Sequence, residues 1–159
     1  ETTKSVVTPI IKDPNLMEDE NEFLDSERHA IYRKCVGMLL WLCTERPEIQ
    51  LAVKRLSQTV MNPTEFDWTA LRRVGRYLNG TVQTELQYTV PAGSPADWQI
   101  SAWVDSDWAG CKATRRSTSG AVIKLGDCLI LAYSRVQGTV ACSSAEAEYS
   151  LCSGAAEAL

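Results

Sequence analysis

The sequence has little of what would send a chain to a membrane, a zinc site or the outside of a cell. Its longest apolar run, Cys35 to Cys43, is nine residues, against the ~20 that a bilayer-spanning helix needs, so no membrane span is expected. Histidine occurs once, at His29, and none of the six cysteines stands in a Cys-x-x-Cys pair, which removes zinc-ligand spacing. No basic start leads into an apolar stretch, so the opening residues do not read as a secretory signal. Internal repeats and low-complexity segments are also lacking. Several of the cysteines (Cys35, Cys43, Cys111, Cys128, Cys142, Cys152) lie within apolar runs, where cysteine acts as a small hydrophobe. Buried free thiols in an intracellular, reducing compartment are therefore expected. The chain begins with Glu1 rather than Met, as a processed product or a fragment would.

What is present starts with charge. The formal net of −4 over 159 residues is unevenly spread. Residues 1–27 hold eight acids against Lys4 and Lys12, a net of −6, whereas Arg28–Arg76 holds nine bases against four acids, a net of +5. A basic block suits an anionic partner such as nucleic acid; a solvated helix surface is the plainer reading of the same charges. At 45% hydrophobic the chain can bury one good core or two small ones.

Residues 1–27, with Pro9, Pro14 and the acidic run, read as an extended arm. Residues 28–80 read as a helical unit. Its first helix spans about Ser26–Cys43, with Ser26 as N-cap and Ile31, Cys35, Met38 and Leu42 along one face. Pro47 suits the first turn of a second helix, which presents Ile49, Ala52, Val53, Leu56 and Val60 as a stripe. Asn62-Pro63 opens a third, with Trp68, Leu71, Val74, Gly75 and Leu78 facing inward, and Asn79-Gly80 is a helix stop. Residues 81–96 hold a short strand candidate, Leu86–Val90, and a turn-rich linker at Pro91–Pro95. In residues 97–159, Gln99–Asp105 alternates as a strand, Gly120–Leu125 and Cys128–Ser134 form a hairpin across Gly126-Asp127, and Ser143 with Glu146 makes a capping box for a final helix. The fold class is α+β: a small helical bundle, then a three-stranded antiparallel sheet with one helix.

Two carboxylates stand where metal chemistry could use them. Asp105 ends its strand, and Glu148 sits in the first turns of the last helix, which would pack across the sheet. Magnesium takes oxygen ligands and keeps waters, so acids at strand ends and helix starts are suitable donors. Two-metal phosphodiester hydrolysis needs several carboxylates converging on cations about 4 Å apart. A lone acid at a strand end is more often a turn residue. Glu146 reads as a cap bonding the Ser143 backbone, and Asp107, ahead of Trp108-Ala109-Gly110, as a turn residue and runner-up to Asp105.

The combination Asp105-Ser-Asp-Trp-Ala-Gly110, Arg115-Arg-Ser-Thr-Ser-Gly120 and Ser143-Ser-Ala-Glu-Ala-Glu-Tyr149 resembles the RNase H region of copia-type LTR retrotransposon polyproteins. Upstream, Tyr32-Arg-Lys-Cys-Val-Gly-Met-Leu-Leu-Trp-Leu42, Arg46-Pro-Glu-Ile49, Asn62-Pro-Thr64, Trp68 and Arg76-Tyr-Leu-Asn-Gly-Thr81 are similar to the end of the reverse transcriptase, its thumb and connection. Val7-Thr-Pro9 fits the lead-in. The likeness covers nearly the whole chain in order.

The resemblance implies a thumb-like helical unit followed by the first part of an RNase H-like domain, with Asp105 and Glu148 as the first two catalytic, Mg²⁺-binding carboxylates. It implies an RNA–DNA hybrid as partner, with Lys54, Arg55, Arg72 and Arg76, and beside the site Arg115 and Arg116, as phosphate contacts. The family's later carboxylates follow this last helix and its polymerase Tyr-x-Asp-Asp motif lies upstream, so these 159 residues alone are expected to be inactive. In that fold a parallel strand flanks the Asp105 strand. Without it the edge is unpaired, and the arm, the Leu86–Val90 strand or a protein partner must cover it. The alternative expectation is accordingly a non-catalytic structural or adaptor subunit.

Overall fold

A computed structural model describes residues 4–10, 22–89, 92–94, 98–111 and 114–156. The chain divides into two compact units, Glu1–Glu85 and Leu86–Leu159.

The first unit is helical. Helix α1, Ser26–Leu42, begins one residue away from the expected cap: Asp25, not Ser26, is the N-cap, and its carboxylate accepts the Arg28 amide at 2.9 Å. A 3₁₀ turn at Pro47–Ile49 leads into α2, Gln50–Gln58, and α3 spans Glu65–Gly80. Thr64 and Asp67 form a capping box at the start of α3. The Asp67 carboxylate also accepts the Thr59 hydroxyl at 2.9 Å, so this acid, 8% exposed, is fully engaged. Residues 22–24 run beside the chain entering α3, through Leu24 N–H to Pro63 carbonyl (3.0 Å) and Glu65 N–H to Glu22 carbonyl (3.0 Å).

The core of this unit joins Leu24, Tyr32, Val36, Ala52, Leu56, Leu71 and Val74. The stripes expected for α2 and most of α3 are its walls, although Gly75 is exposed rather than inward. On α1 the expected stripe is displaced. Tyr32 and Val36 are buried, while Ile31 and Met38 are exposed. The Tyr32 hydroxyl crosses to α2 and donates to the Leu56 carbonyl at 2.8 Å.

The helix ends at Gly80, as the Asn79-Gly80 pair suggests, with Thr81 as the C-cap. A Cβ at Gly80 would lie 2.6 Å from the Cβ of Ser5, closer than real contacts allow. A side chain there would push against the Lys4–Ile10 segment, which passes over the end of α3.

The second unit is a three-stranded antiparallel sheet, order β1-β2-β3, made of β1 (Ile100–Asp107), β2 (Thr118–Leu125) and β3 (Cys128–Val136), with α4 (Ser144–Ala156) packed on it. Each strand runs about two residues further than the alternation of apolar residues suggests, because Ser106, Asp107, Thr118, Ser119, Arg135 and Val136 continue the ladders. Gly126-Asp127 closes the second hairpin, with Gly126 at φ 57°, the left-handed region where glycine carries no penalty. Ala121 and Ile123 of β2, and Ala147 and Leu151 of α4, supply the buried contact. Trp103 lies on the other face, half exposed, with the Lys124 ammonium 5.7 Å from its ring centroid.

One expected element is absent. Residues Leu86–Thr89 form no strand, and Val90 lies outside the described residues. The Thr89 carbonyl accepts the Cys128 thiol at 2.8 Å, which places this segment by the start of β3 rather than along β1. The expectation of buried cysteines also needs correction. All six are free thiols, but only Cys128 is buried, and Cys142 and Cys152 are exposed.

Candidate active site at the end of the sheet

Strand direction decides which residues can meet. β1 ends at Asp107, β2 starts opposite it at Thr118, and Thr118 pairs with Val136 at the end of β3. One end of the sheet therefore gathers Asp105, the 108–117 loop with Arg115 and Arg116, the 137–143 loop, and the first turns of α4. The Gly126-Asp127 turn lies at the other end.

The sequence puts Asp105 and Glu148 forward as one site; the structure brings the Glu148 carboxylate to the β1 backbone one residue after Asp105. Asp105 pairs with Gly120 and its side chain is exposed. The Glu148 carboxylate reaches from α4 to the backbone of β1, where its Oε1 accepts the Ser106 amide at 3.2 Å. Ala147 and Leu151 are one helical turn apart on the buried face of α4. Glu148, adjacent to that face, is carried to the strand as the helix docks. Among the described residues, no three His, Cys, Asp or Glu side chains come together as a metal-holding group.

The neighbouring acids have other roles. The carboxylate of Asp107 lies against Gly110: a Cβ there would meet Asp107 Oδ2 at 2.0 Å. Asp107 thus belongs to the turn, where Ala109 sits at φ 52°. Glu146 is a cap, one residue from where it was expected. Its Oε2 accepts the Cys142 amide at 2.7 Å rather than that of Ser143, while its own amide donates to Ser143 Oγ at 3.2 Å.

The site's framework includes residues that no motif marks. The Gln137 side-chain amide donates to the Ala147 carbonyl (2.9 Å) and Ser119 Oγ (3.0 Å), with Ser106 Oγ at 3.4 Å. Its backbone amide donates to the Ser117 carbonyl at 2.9 Å. One glutamine thus ties α4 to β1 and β2 around the Ser106 position. Trp108 Nε1 donates to the Ala141 carbonyl at 3.0 Å, and buried Ser117 accepts the Ala109 amide at 3.2 Å. These contacts join the two loops at the site end. A lone glutamine after a strand carries no periodic or spacing signal, so nothing in the sequence singles it out.

The cationic candidates divide by position. Arg115 and Arg116 are exposed in the loop beside the site, Arg115 at φ 56°, a conformation uncommon for residues other than glycine. In the first unit Arg55 and Arg72 are exposed and Lys54 is half-buried. Arg76 is partly engaged, its Nε donating to the Lys4 carbonyl at 2.7 Å.

An α+β chain with helices first, then an antiparallel sheet and a helix carrying a carboxylate to its first strand, has clear relatives. The chain is 38% identical over 148 residues to the retrovirus-related Pol polyprotein from transposon RE2 of Arabidopsis thaliana, a match covering 93% of the chain and 10% of the polyprotein. It is 41% identical over 119 residues to an uncharacterized mitochondrial protein of Arabidopsis thaliana, covering 74% of the chain and 48% of that protein. A secreted RxLR effector protein of Plasmopara viticola is 39% identical over 123 residues, covering 77% of the chain and 84% of the effector. No family model and no solved structure matches. The chain belongs to the copia-type retrotransposon Pol polyproteins. It spans about a tenth of the length of those polyproteins and about half that of the mitochondrial relative.

Proposed function

We propose that the second unit is the opening part of an RNase H-type nuclease domain and the first a thumb-like unit that holds nucleic acid, with Mg²⁺-dependent hydrolysis of RNA in RNA–DNA hybrids as the parent activity. The observation that supports this reading is the bond from the Ser106 amide to Glu148, which brings a helix carboxylate to the β1 backbone one residue after Asp105. Hard oxygen donors of this kind suit Mg²⁺, which commonly binds through one or two carboxylates with waters and substrate phosphates filling the remaining positions. When bound, the metal would polarise the scissile phosphate and activate water. The chain's own contribution is to hold the two carboxylates and, through Arg115 and Arg116, to balance phosphate charge at the same end of the sheet. Lys54, Arg55, Arg72 and Arg76 would position the hybrid's backbone without reading its sequence.

Two carboxylates do not complete a two-metal clamp, so these 159 residues by themselves are proposed to be inactive and to need further carboxylates from the polyprotein. The test is a cleavage assay on a labelled RNA–DNA hybrid with Mg²⁺. The 159-residue segment should leave the hybrid intact, the same segment within its polyprotein should cut the RNA strand, and Asp105→Asn should abolish cutting. A folded but inactive polyprotein would rule out the nuclease reading for this sequence.

The second reading is a non-catalytic adaptor or structural subunit. It draws on the Plasmopara viticola effector, most of whose length this chain matches. Under that reading the segment is isolated in a stoichiometric protein complex that Asp105→Asn leaves intact.

A further inference from the structure

The N-terminal strap, Lys4–Ile10, occupies the arginine edge of α3. Arg73 donates from Nε to the Thr8 carbonyl (3.0 Å) and from Nη2 to Thr8 Oγ1 (3.0 Å). Arg76 donates from Nε to the Lys4 carbonyl (2.7 Å), and Ser5 seats on Gly80. Arg73 and Arg76 are three residues apart and share one helix face. The Nε–Nη2 edge is the fork with which a guanidinium grips carboxylate or phosphate bidentately. On Arg73 both atoms of that edge meet neutral oxygens and on Arg76 the Nε does, and among the described residues neither Arg73 nor Arg76 has a carboxylate partner. Two guanidinium charges are therefore gripped in position but not neutralised.

We propose that Arg73 and Arg76 form a phosphate-backbone site for which the strap is a displaceable cover, the oxygens of Lys4 and Thr8 holding the places of phosphate oxygens. This rests on the thumb-like reading above and adds Arg73 to it. An anionic backbone offers the same fork geometry together with charge neutralisation, which a peptide carbonyl lacks. Nucleic acid should therefore compete with the strap for the same edge.

The experiment measures binding of the full chain to a short RNA–DNA hybrid by fluorescence anisotropy across a salt series, with hydrogen exchange of the strap amides read in parallel. Gly80→Ala forces Ser5 off the helix without changing charge and raises helix propensity. Thr8→Val is a second release that removes the Oγ1 partner of Arg73. Both variants should bind the hybrid roughly threefold or more tightly, with a salt slope steeper by about 1 to 2, and hybrid should speed exchange at Lys4–Thr8 in the unaltered chain. Arg73→Ala in the Gly80→Ala background should reverse the gain. If all forms bind equally, with equal slopes and an unmoved strap, the cover is overturned while the thumb-like reading stands. If no form binds with salt-dependent affinity, the thumb-like reading fails and takes the cover with it.

Discussion

Glu148 accepts the backbone amide of Ser106, 42 residues earlier in the chain, at 3.2 Å. The bond fixes the register of α4 against β1 and sets the Glu148 carboxylate beside the residue that follows Asp105. Replacing Glu148 with Gln keeps an acceptor for the amide and removes the charge. Glu148→Gln should therefore fold with stability within about 1 kcal/mol of the parent, while any Mg²⁺ response at the sheet end disappears. Urea unfolding and a Mg²⁺ titration read the two effects separately.

Gln137 is the fastener between α4 and the sheet. Gln137→Leu removes the donor from the Ala147 carbonyl and Ser119 Oγ and should cost about 1 kcal/mol. The loss should appear as a lower urea midpoint for the second unit, followed by Trp108 fluorescence. An unchanged midpoint would show that the network is incidental.

The capping box of α3 has a similar role in the helical unit. Asp67 accepts from the Thr64 amide (2.8 Å), the Thr64 hydroxyl (2.8 Å) and the Thr59 hydroxyl (2.9 Å). Asp67→Ala should destabilise that unit by about 2 kcal/mol, measured by thermal melting with circular dichroism. Glu45→Ala, on an exposed turn, is a control expected to change little.

Tyr32 gives a pH prediction. Burial pushes its hydroxyl up to about 12, the dominant cause, with the Asp67 carboxylate adding to it and the Thr59 hydrogen bond opposing. The folded state thus holds the phenolic proton more tightly than the unfolded chain, whose value is near 10. The resulting stabilisation is complete below pH 10 and is lost as pH rises from there toward 12. Alkaline titration of unfolding should show this decline, and Tyr32→Phe should remove it while lowering stability at neutral pH by about 1 kcal/mol.

Legibility from sequence followed physical contrast. α2 and α3 alternate sharply between apolar and charged residues, so Ala52, Val53, Leu56, Leu71 and Val74 were readable as core. α1 is apolar around most of its circumference, with Ile31, Met38, Leu40 and Trp41 exposed while Tyr32 and Val36 are buried. Periodicity could not choose between adjacent stripes there. Asn79-Gly80 was readable as the end of α3, which closes at Gly80; the passage of Ser5 over that glycine is a contact 75 residues away in sequence and leaves no local signal. Leu86–Val90 had strand composition, but Leu86–Thr89 make no ladder, and composition alone cannot supply a partner. At the candidate site the two carboxylates were readable from motif and element ends. The role of Gln137 was not, because a three-way polar contact leaves no pattern in the chain.

The most direct test of the account is a Mg²⁺ titration followed by ¹H–¹⁵N NMR. If Asp105 and Glu148 form one metal-binding position, the Ser106 amide and the first turn of α4 should shift together and saturably, and Asp105→Asn should abolish the shift with the fold unchanged. Shifts absent at Ser106, or shifts there that persist unaltered in Asp105→Asn, would contradict it.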